Sequence, residues 1–408
     1  MTLYEELKWR GLIKDVTSPE LENKLNNEKL AFYIGTDPTA DSMHIGHYSS
    51  FLIAKRLAKA GHKPLLLIGG ATGRIGDPRP TTEREMKSIE EIEKNTKNLK
   101  KQAEEIFGFE VVDNYDWIKN INIIEFLRDY GKYFNINYML DKDIIRRRLE
   151  TGITFTEFSY MLLQSLDFLH LHETRGVNLQ VAGSDQWGNI TSGVDLIRKK
   201  LGNEVYAFTM PLILDQNGKK FGKSEGNALW LDKNKTSSYE LYQYLINTDD
   251  SMIESYLKVF TFLSPKEIMD IVSKHNNEPH LRLGQKTLAR EIITDLHGKE
   301  EYEKAVQISE NLFSGNIKEI NVNDLMIGLK DVPHFILKDE SLLDLLVNNN
   351  ICSSKREARE FLGNNAISVN GEIVNDENMF IDKTKTIEGK IVVIRRGKKK
   401  YYVGLVEE

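Results

Sequence analysis

The segment Ala31-Phe-Tyr-Ile-Gly-Thr36 is an apolar run that stops at a polar turn over 37–42 and gives way to a helical pattern over about 43–60. A short, continuous apolar run bounded by turn residues reads as a strand buried on both faces. A second run, 64–68, ends at Gly69 and Gly70. Helical spacing follows over about 82–107, where Met86, Ile89, Ile92, Leu99, Ala103 and Ile106 recur. Strand–helix–strand alternation predicts an α/β fold on a Rossmann-like parallel sheet. Ligands of such sheets sit beyond the carboxyl ends of the strands, where the polar turns of this chain fall.

Further along, 156–172 reads as a helix, 179–182 as a short strand, and 183–189 as a polar turn into a helix ending near Leu201. Residues 212–214 read as a strand end and 215–226 as a loop rich in Gly and Lys. From about 237 to 313 the pattern is almost wholly helical. The last segment returns to mixed α/β, with a helix over 355–362 and a hairpin turning at Asn370-Gly371. A length of 408 residues predicts two or three domains.

The single cysteine, Cys352, rules out an internal disulfide and any cysteine metal cluster, and fits a reducing cytoplasm. No apolar run approaches a membrane span. The net charge of -6 argues mildly against a nucleic-acid partner, yet Arg395, Arg396, Lys398, Lys399 and Lys400 form a local basic cluster that can neutralise phosphates, although a charge run alone reads first as a solvated strand end.

Four segments carry possible chemistry. His44 and His47 stand where the first strand passes into its helix, share one helix face, and can donate to phosphate at the helix N-terminus, with Gly46 leaving the backbone open between them. On this segment alone, a solvated histidine pair accounts for them equally well; the His-Glu-x-x-His spacing of a zinc protease is absent. Lys219, Lys220 and Lys223 lie on a glycine-flanked loop ending at Ser224. Gly218 and Gly222 are too close for a phosphate-binding Walker loop, and no helix start follows. Asp185, in Gly183-Ser-Asp-Gln-Trp-Gly-Asn189, suits ribose hydroxyls. Tyr160, Gln164 and Asp167 recur on one helix face, either exposed or lining a pocket for a small polar molecule.

His44-Ile-Gly-His47 and Lys220-Phe-Gly-Lys-Ser224 resemble the HIGH and KMSKS signatures of class I aminoacyl-tRNA synthetases. Thr36-Asp-Pro-Thr-Ala-Asp-Ser42, Gly69-Gly-Ala-Thr-Gly-Arg-Ile-Gly-Asp-Pro78, Phe155-Thr-Glu-Phe-Ser-Tyr-Met161 and Gly183-Ser-Asp-Gln-Trp-Gly-Asn189 look like the bacterial tyrosyl-tRNA synthetases, and the resemblance spans essentially the whole chain. Residues from about 341, above all Ser354-Lys-Arg-Glu-Ala-Arg359 through Val369-Asn-Gly-Glu-Ile373, resemble a small RNA-binding module also found in a ribosomal small-subunit protein.

The resemblance implies a catalytic domain over 1–225, a helical domain on the anticodon side of tRNA over 226–325, a linker over 326–340 and an α+β RNA-binding module over 341–408. It implies tyrosine activation with ATP, transfer of tyrosine to tRNA(Tyr), a homodimer in the cytoplasm, Mg2+ arriving with ATP, and no metal held by the protein itself. Tyr33 and Asp167 match the pair that bonds the substrate phenol; Asp77, Tyr160 and Gln164 match the ammonium cradle; Gln180 and Gln186 flank it. Gly35, Asp37, Gly46, Gly183 and Asp185 match positions around ATP, and Thr39, His44 and His47 the phosphate-facing group. Lys220, Lys223 and Ser224 match the mobile loop, and Arg198, Lys199, Lys355, Arg356 and Arg359 are expected against RNA. Two departures stand out: the loop Pro78-Arg-Pro-Thr-Thr-Glu-Arg84 lacks the usual glycine and lysine, leaving Arg79 and Arg84 as its cations, and Ile34 stands where a polar or thiol side chain is common.

Overall fold

The computed structural model describes residues 1–79, 82, 84–224, 227–398 and 400–407, with only the backbone at 223, 224 and 227. By contact density the chain divides into two compact units, one of 1–235 with 248–288, the other of 236–247 with 289–408.

The first unit is built on a five-stranded, all-parallel sheet: β1 (Ala31–Thr36), β2 (Lys63–Ile68), β3 (Glu110–Asp113), β4 (Val177–Gly183) and β5 (Tyr206–Met210), in the order β3-β2-β1-β4-β5. Strand order reverses between β1 and β4, and a crevice opens at such a switch point. Side chains alternate across the sheet. Tyr33, Leu65 and Leu67 pack with Leu166, Phe168 and Leu169 of a long helix, while Phe32, Ile34 and Leu66 are buried on the intervening positions.

The helices that matter to the crevice are α1 (Ile45–Lys59), α2 (Ile89–Phe107), α3 (Phe155–Arg175) and α4 (Trp187–Leu201). α2 starts well after the expected 82, because Ser88 caps it by accepting from Glu91 N–H at 3.1 Å and Met86 is exposed before it. The strand end expected at 212–214 is displaced too. β5 stops at Met210, ahead of Pro211, which has no N–H for a ladder, and Leu212 and Leu214 are exposed.

Helix Ile253–Phe260, expected in a separate helical domain, packs in the first unit. Arg10 donates to the carbonyls of Lys258 at 2.9 Å and Leu263 at 2.6 Å, and Arg56 of α1 donates to those of Val259 and Thr261. Two buried guanidinium groups thus satisfy the carbonyls at the end of this helix, which favours cations.

In the second unit, strands His334–Ile336, Ile367–Val369, Glu372–Ile373, Ile391–Arg396 and Lys400–Leu405 form a mixed sheet. The Asn370-Gly371 hairpin is present, with φ of 49° and 87°. The 326–340 stretch, expected as a linker, contributes the edge strand His334–Ile336 to that sheet. Ile308, Leu312, Val322 and Leu325 share one apolar cluster with Ile391, Val393 and Val403, so the last strands and the helices before them form a common core.

Candidate active site

A cleft of about 380 Å3 opens at the carboxyl ends of β1 and β4. Its walls bring together residues spread over most of the first unit: Tyr33, Gly35, Asp37, Thr39, His44, Gly46, His47, Asp77, Tyr160, Gln164, Asp167, Gln180, Gly183, Asp185, Gln186 and Lys220. Of the residues expected around tyrosine and ATP, only Lys223 and Ser224 are missing from that wall; their side chains lie outside what the structure describes.

The histidine pair is held by the first turn of α1. His44 is the cap: its Nδ1 accepts from Gly46 N–H at 3.1 Å, while His47 Nδ1 accepts from His44 N–H at 3.1 Å. The rings stack with centroids 3.9 Å apart. Because both Nδ1 atoms accept, each ring carries its proton on Nε2, a donor suited to a phosphate oxygen. Burial, reinforced by His44, holds the His47 pKa down at about 3, so that ring is neutral at any working pH.

The lysine loop reaches the same place through backbone pairing. Ile45 N–H donates to Leu229 at 2.9 Å, Leu231 N–H to Met43 at 2.8 Å, and Leu229 N–H to Gly222 at 3.0 Å. Gly222 has φ +80°, and a Cβ there would lie 1.8 Å from Ile45 Cγ2, so only glycine lets the loop close on α1. Phe221 packs edge-on against Tyr256 and at a tilt against Phe260, and Tyr256 Oη donates to the Leu214 carbonyl at 2.9 Å.

The inner end of the cleft is a network of buried polar groups. Asp167 accepts from Asn114 Nδ2 and Trp117 Nε1, each at 2.9 Å, yet burial pushes its carboxyl up to about 8. Tyr33 Oη is buried beside it and finds no hydrogen-bond partner among the described residues. Burial, and then the Asp167 charge, hold that phenol well above its ordinary pKa.

Asp77 accepts from Gln186 Nε2 at 2.7 Å and Asn189 Nδ2 at 3.0 Å, and burial raises its carboxyl to about 6. Asp37 accepts from Tyr160 Oη at 2.8 Å and Thr72 Oγ1 at 2.7 Å. The carboxylate expected near adenosine is therefore joined to the tyrosine expected in the ammonium cradle. A Cβ on Gly69 would sit 2.0 Å from Asp37 Oδ1, so this glycine permits the approach.

Asn114, Trp117, Thr72 and Asn189 support the network but were not singled out from the sequence. Asn114 and Trp117 follow β3, a strand of four residues whose two valines lie between acidic ends and give little periodic signal. Of the two departing cations, Arg84 lines the cleft, whereas Arg79 is exposed and is not among the lining residues.

The residues expected against RNA are elsewhere on each unit. Arg198 and Lys199 pair with Asp195, Lys355 with Asp344 at 2.6 Å, and Arg359 with Glu377 at 2.5 Å, while Arg356 is exposed. Exposed pairs of this kind are worth about 0–1 kcal/mol, so a phosphate can displace them at little cost. Lys399 lies outside the described residues.

Comparison with known proteins gives the family. The family model for tRNA synthetases class I (W and Y) matches residues 25–314, and the model for the tyrosine–tRNA ligase SYY-like C-terminal domain matches 324–404. A tyrosine–tRNA ligase of Listeria monocytogenes serotype 4a is 49% identical over 99% of both chains, and one of Macrococcus caseolyticus is 50% identical over 98% of both. A solved, C-terminally truncated mitochondrial tyrosyl-tRNA synthetase of Aspergillus nidulans is 34% identical, with a TM-score of 0.67 over 76% of this chain and 94% of its own. The chain belongs to the tyrosine–tRNA ligases, within the class I tRNA synthetases.

Proposed function

We propose that the cleft joins L-tyrosine to ATP, giving tyrosyl-adenylate and pyrophosphate, and then passes the tyrosyl group to the 3′ end of tRNA(Tyr). One observation carries the choice of amino acid: a buried Tyr33 hydroxyl, unpartnered among the described residues, stands beside the buried Asp167 carboxyl. An unpaired buried hydroxyl costs about 1–3 kcal/mol, and a substrate phenol repays it by bonding both groups. Phenylalanine fills the same volume but leaves the Tyr33 hydroxyl unpaired and brings Asp167 no bond beyond those from Asn114 and Trp117.

In the first step a carboxylate oxygen of tyrosine attacks the α-phosphorus, and the bond from that phosphorus to the bridging oxygen of pyrophosphate breaks. The attacking group is already ionised, so no base and no protein nucleophile are required. The work is positioning and charge stabilisation. His44 and His47 offer neutral Nε2–H donors at the α1 N-terminus, and Lys220 brings a positive charge to the same cleft. Mg2+ enters with ATP as part of the substrate; among the described residues no group of three or more His, Cys, Asp or Glu is placed to hold a metal.

The two raised carboxyls give the tyrosine site a pH dependence. Asp77 faces the substrate ammonium and Asp167 its phenol, and each works as the carboxylate, the form present above about 6 and about 8. The kcat/KM for tyrosine therefore rises with pH through about 6 and again toward 8. Asp77→Asn removes the lower step and Asp167→Asn the upper; a profile flat across both contradicts these roles. Stability runs the opposite way. Both folded-state pKa values are raised, so the stability they contribute is present below the ordinary carboxylate range and is lost as pH rises through about 6 and 8.

The helical segment 226–325 and the module 341–408 take the tRNA in this reading, with Arg198, Lys199, Lys355, Arg356 and Arg359 against its backbone. The cleft is lined wholly by residues of the first unit. A cut at 341 strips Ile308, Leu312, Ile317, Ile320, Val322, Leu325 and Leu329 of Ile391, Val393 and Val403, whereas removal of 315–408 strips only Ile308 and Leu312 of that cluster, so it is the test used. We expect it to keep tyrosine-dependent pyrophosphate exchange within about twofold and to lower tRNA charging by at least ~100-fold, through lost phosphate contacts. Equal loss of both activities contradicts the assignment. The enzyme works as a homodimer: the 123–155 stretch exposes Ile123, Ile124, Leu127, Ile136 and Phe155, an apolar surface suited to a second copy. A reducing cytoplasm suits its single cysteine, Cys352. No described helix is long and apolar enough to cross a membrane.

A further inference from the structure

We propose that the buried ion pair Arg148–Glu157 positions Arg84 in the cleft, and so acts on tyrosine activation without touching either substrate. The inference rests on the reading of the cleft given above.

The two side chains are 5% and 3% exposed, and Arg148 Nη2 lies 2.9 Å from Glu157 Oε2. Desolvating two charges is costly, and a buried pair is seldom kept for stability alone, since apolar side chains of similar volume serve as well. What the pair does with its remaining polar atoms is therefore informative. Arg148 Nη1 donates to the carbonyls of Arg79 at 2.9 Å and Thr82 at 3.1 Å, while its Nε donates to Gly152 at 3.1 Å. The second oxygen of Glu157 accepts from Arg84 N–H at 3.3 Å. Both partners thus grip the backbone of the same short segment, one at each end, and the segment ends on Arg84.

Arg84 is the cation of that loop that reaches the site. It lines the cleft, its Nε donates to the Asp77 carbonyl at 2.6 Å, and its charge offsets a small part of the rise that burial imposes on the carboxyls of Asp37 and Asp77. Its backbone nitrogen is held by Glu157 and its side chain by Asp77, so the direction in which the guanidinium enters the cleft follows from the pair. The described residues of the segment, 79, 82 and 84, lie in no helix or strand that could do this. Glu157 sits in the first turn of α3, the helix that also bears Tyr160, Gln164 and Asp167. The same rigid element therefore sets both the tyrosine pocket and the loop cation.

The test is tyrosine-dependent ATP–pyrophosphate exchange by the full chain, with kcat and both KM values, for wild type, Glu157→Gln, Arg84→Ala and the double variant. Wild-type exchange tests the reading of the cleft by itself; the variants test the pair. We expect Glu157→Gln to lower kcat roughly tenfold while the KM for tyrosine stays within about twofold, and to add little to Arg84→Ala, because both act through one group. Arg148→Lys keeps the charge but loses the two-carbonyl fork, so it is expected to follow the same pattern and serves if Glu157→Gln does not fold. Losses that add fully in the double variant, no loss in kcat, or an equal loss in tyrosine binding would each overturn the proposal.

Discussion

Asp167→Asn lowers kcat/KM for tyrosine by about 100-fold at pH 8.5, where the wild-type carboxyl is ionised, because a hydrogen bond to a charged group contributes about 1.5–3 kcal/mol. The change is nearly isosteric, but it is not silent for the surroundings. Asn114 and Trp117 each donate an N–H to one of the two carboxyl oxygens. An amide offers one oxygen and one N–H2, so one of those donors loses its acceptor and the phenol loses the charge. The effect falls on tyrosine alone: the KM for ATP changes little, and the slow activation of phenylalanine, which has no hydroxyl to bind, is not lowered in parallel. Steady-state pyrophosphate exchange with both amino acids measures this. Equal losses for the two would make Asp167 a prop of the fold rather than a reader of the phenol.

His47→Ala gives the second large effect, of a different kind. Removing one preorganised donor to charge that develops in a transition state costs about 100- to 1,000-fold in kcat. The loss appears in kcat with the KM for tyrosine nearly unchanged, the mark of a contact made in the transition state rather than with bound substrate. Part of the damage is structural, since His47 Nδ1 also accepts from His44 N–H and completes the cap of α1. A lost cap costs about 1 kcal/mol of stability. Thermal unfolding of the variant separates the two, because a cap alone lowers Tm without a hundredfold loss in the folded enzyme. With its pKa held at about 3, His47 contributes no step to the wild-type rate between pH 5.5 and 8.5. A loss in tyrosine KM as large as that in kcat would place His47 on the ground state and contradict its role.

Much of the site was legible because it follows local rules. The apolar run ending at Thr36 and the turn after it placed β1 and α1 correctly, and helical spacing put Tyr160, Gln164 and Asp167 on one face. Spacing could not tell an exposed face from a pocket wall; the structure buries Tyr160 and Asp167. Their partners were out of reach for a physical reason. Asn114 and Trp117 follow a four-residue strand whose pairing with β2 depends on residues more than forty positions away. Packing of Ile253–Phe260 with the first unit depends on Arg10 and Arg56, and a sequence does not reveal which distant carbonyls a buried guanidinium will cap. The ion pairs at Lys355 and Arg359 are likewise tertiary, while Lys199 pairs with Asp195 four residues earlier on one helix, so basic residues expected to meet RNA turned out to have carboxylate neighbours.

All of these roles depend on a histidine pair and a lysine loop meeting around one nucleotide, next to a pocket that demands a phenol. ATP–pyrophosphate exchange by the unaltered chain, with tyrosine, phenylalanine or tryptophan as the sole amino acid, tests this most directly. Rapid exchange with tyrosine, far slower exchange with phenylalanine and none with tryptophan is the expected result. Exchange supported by tryptophan and not by tyrosine, or by phenylalanine as well as by tyrosine, would contradict it.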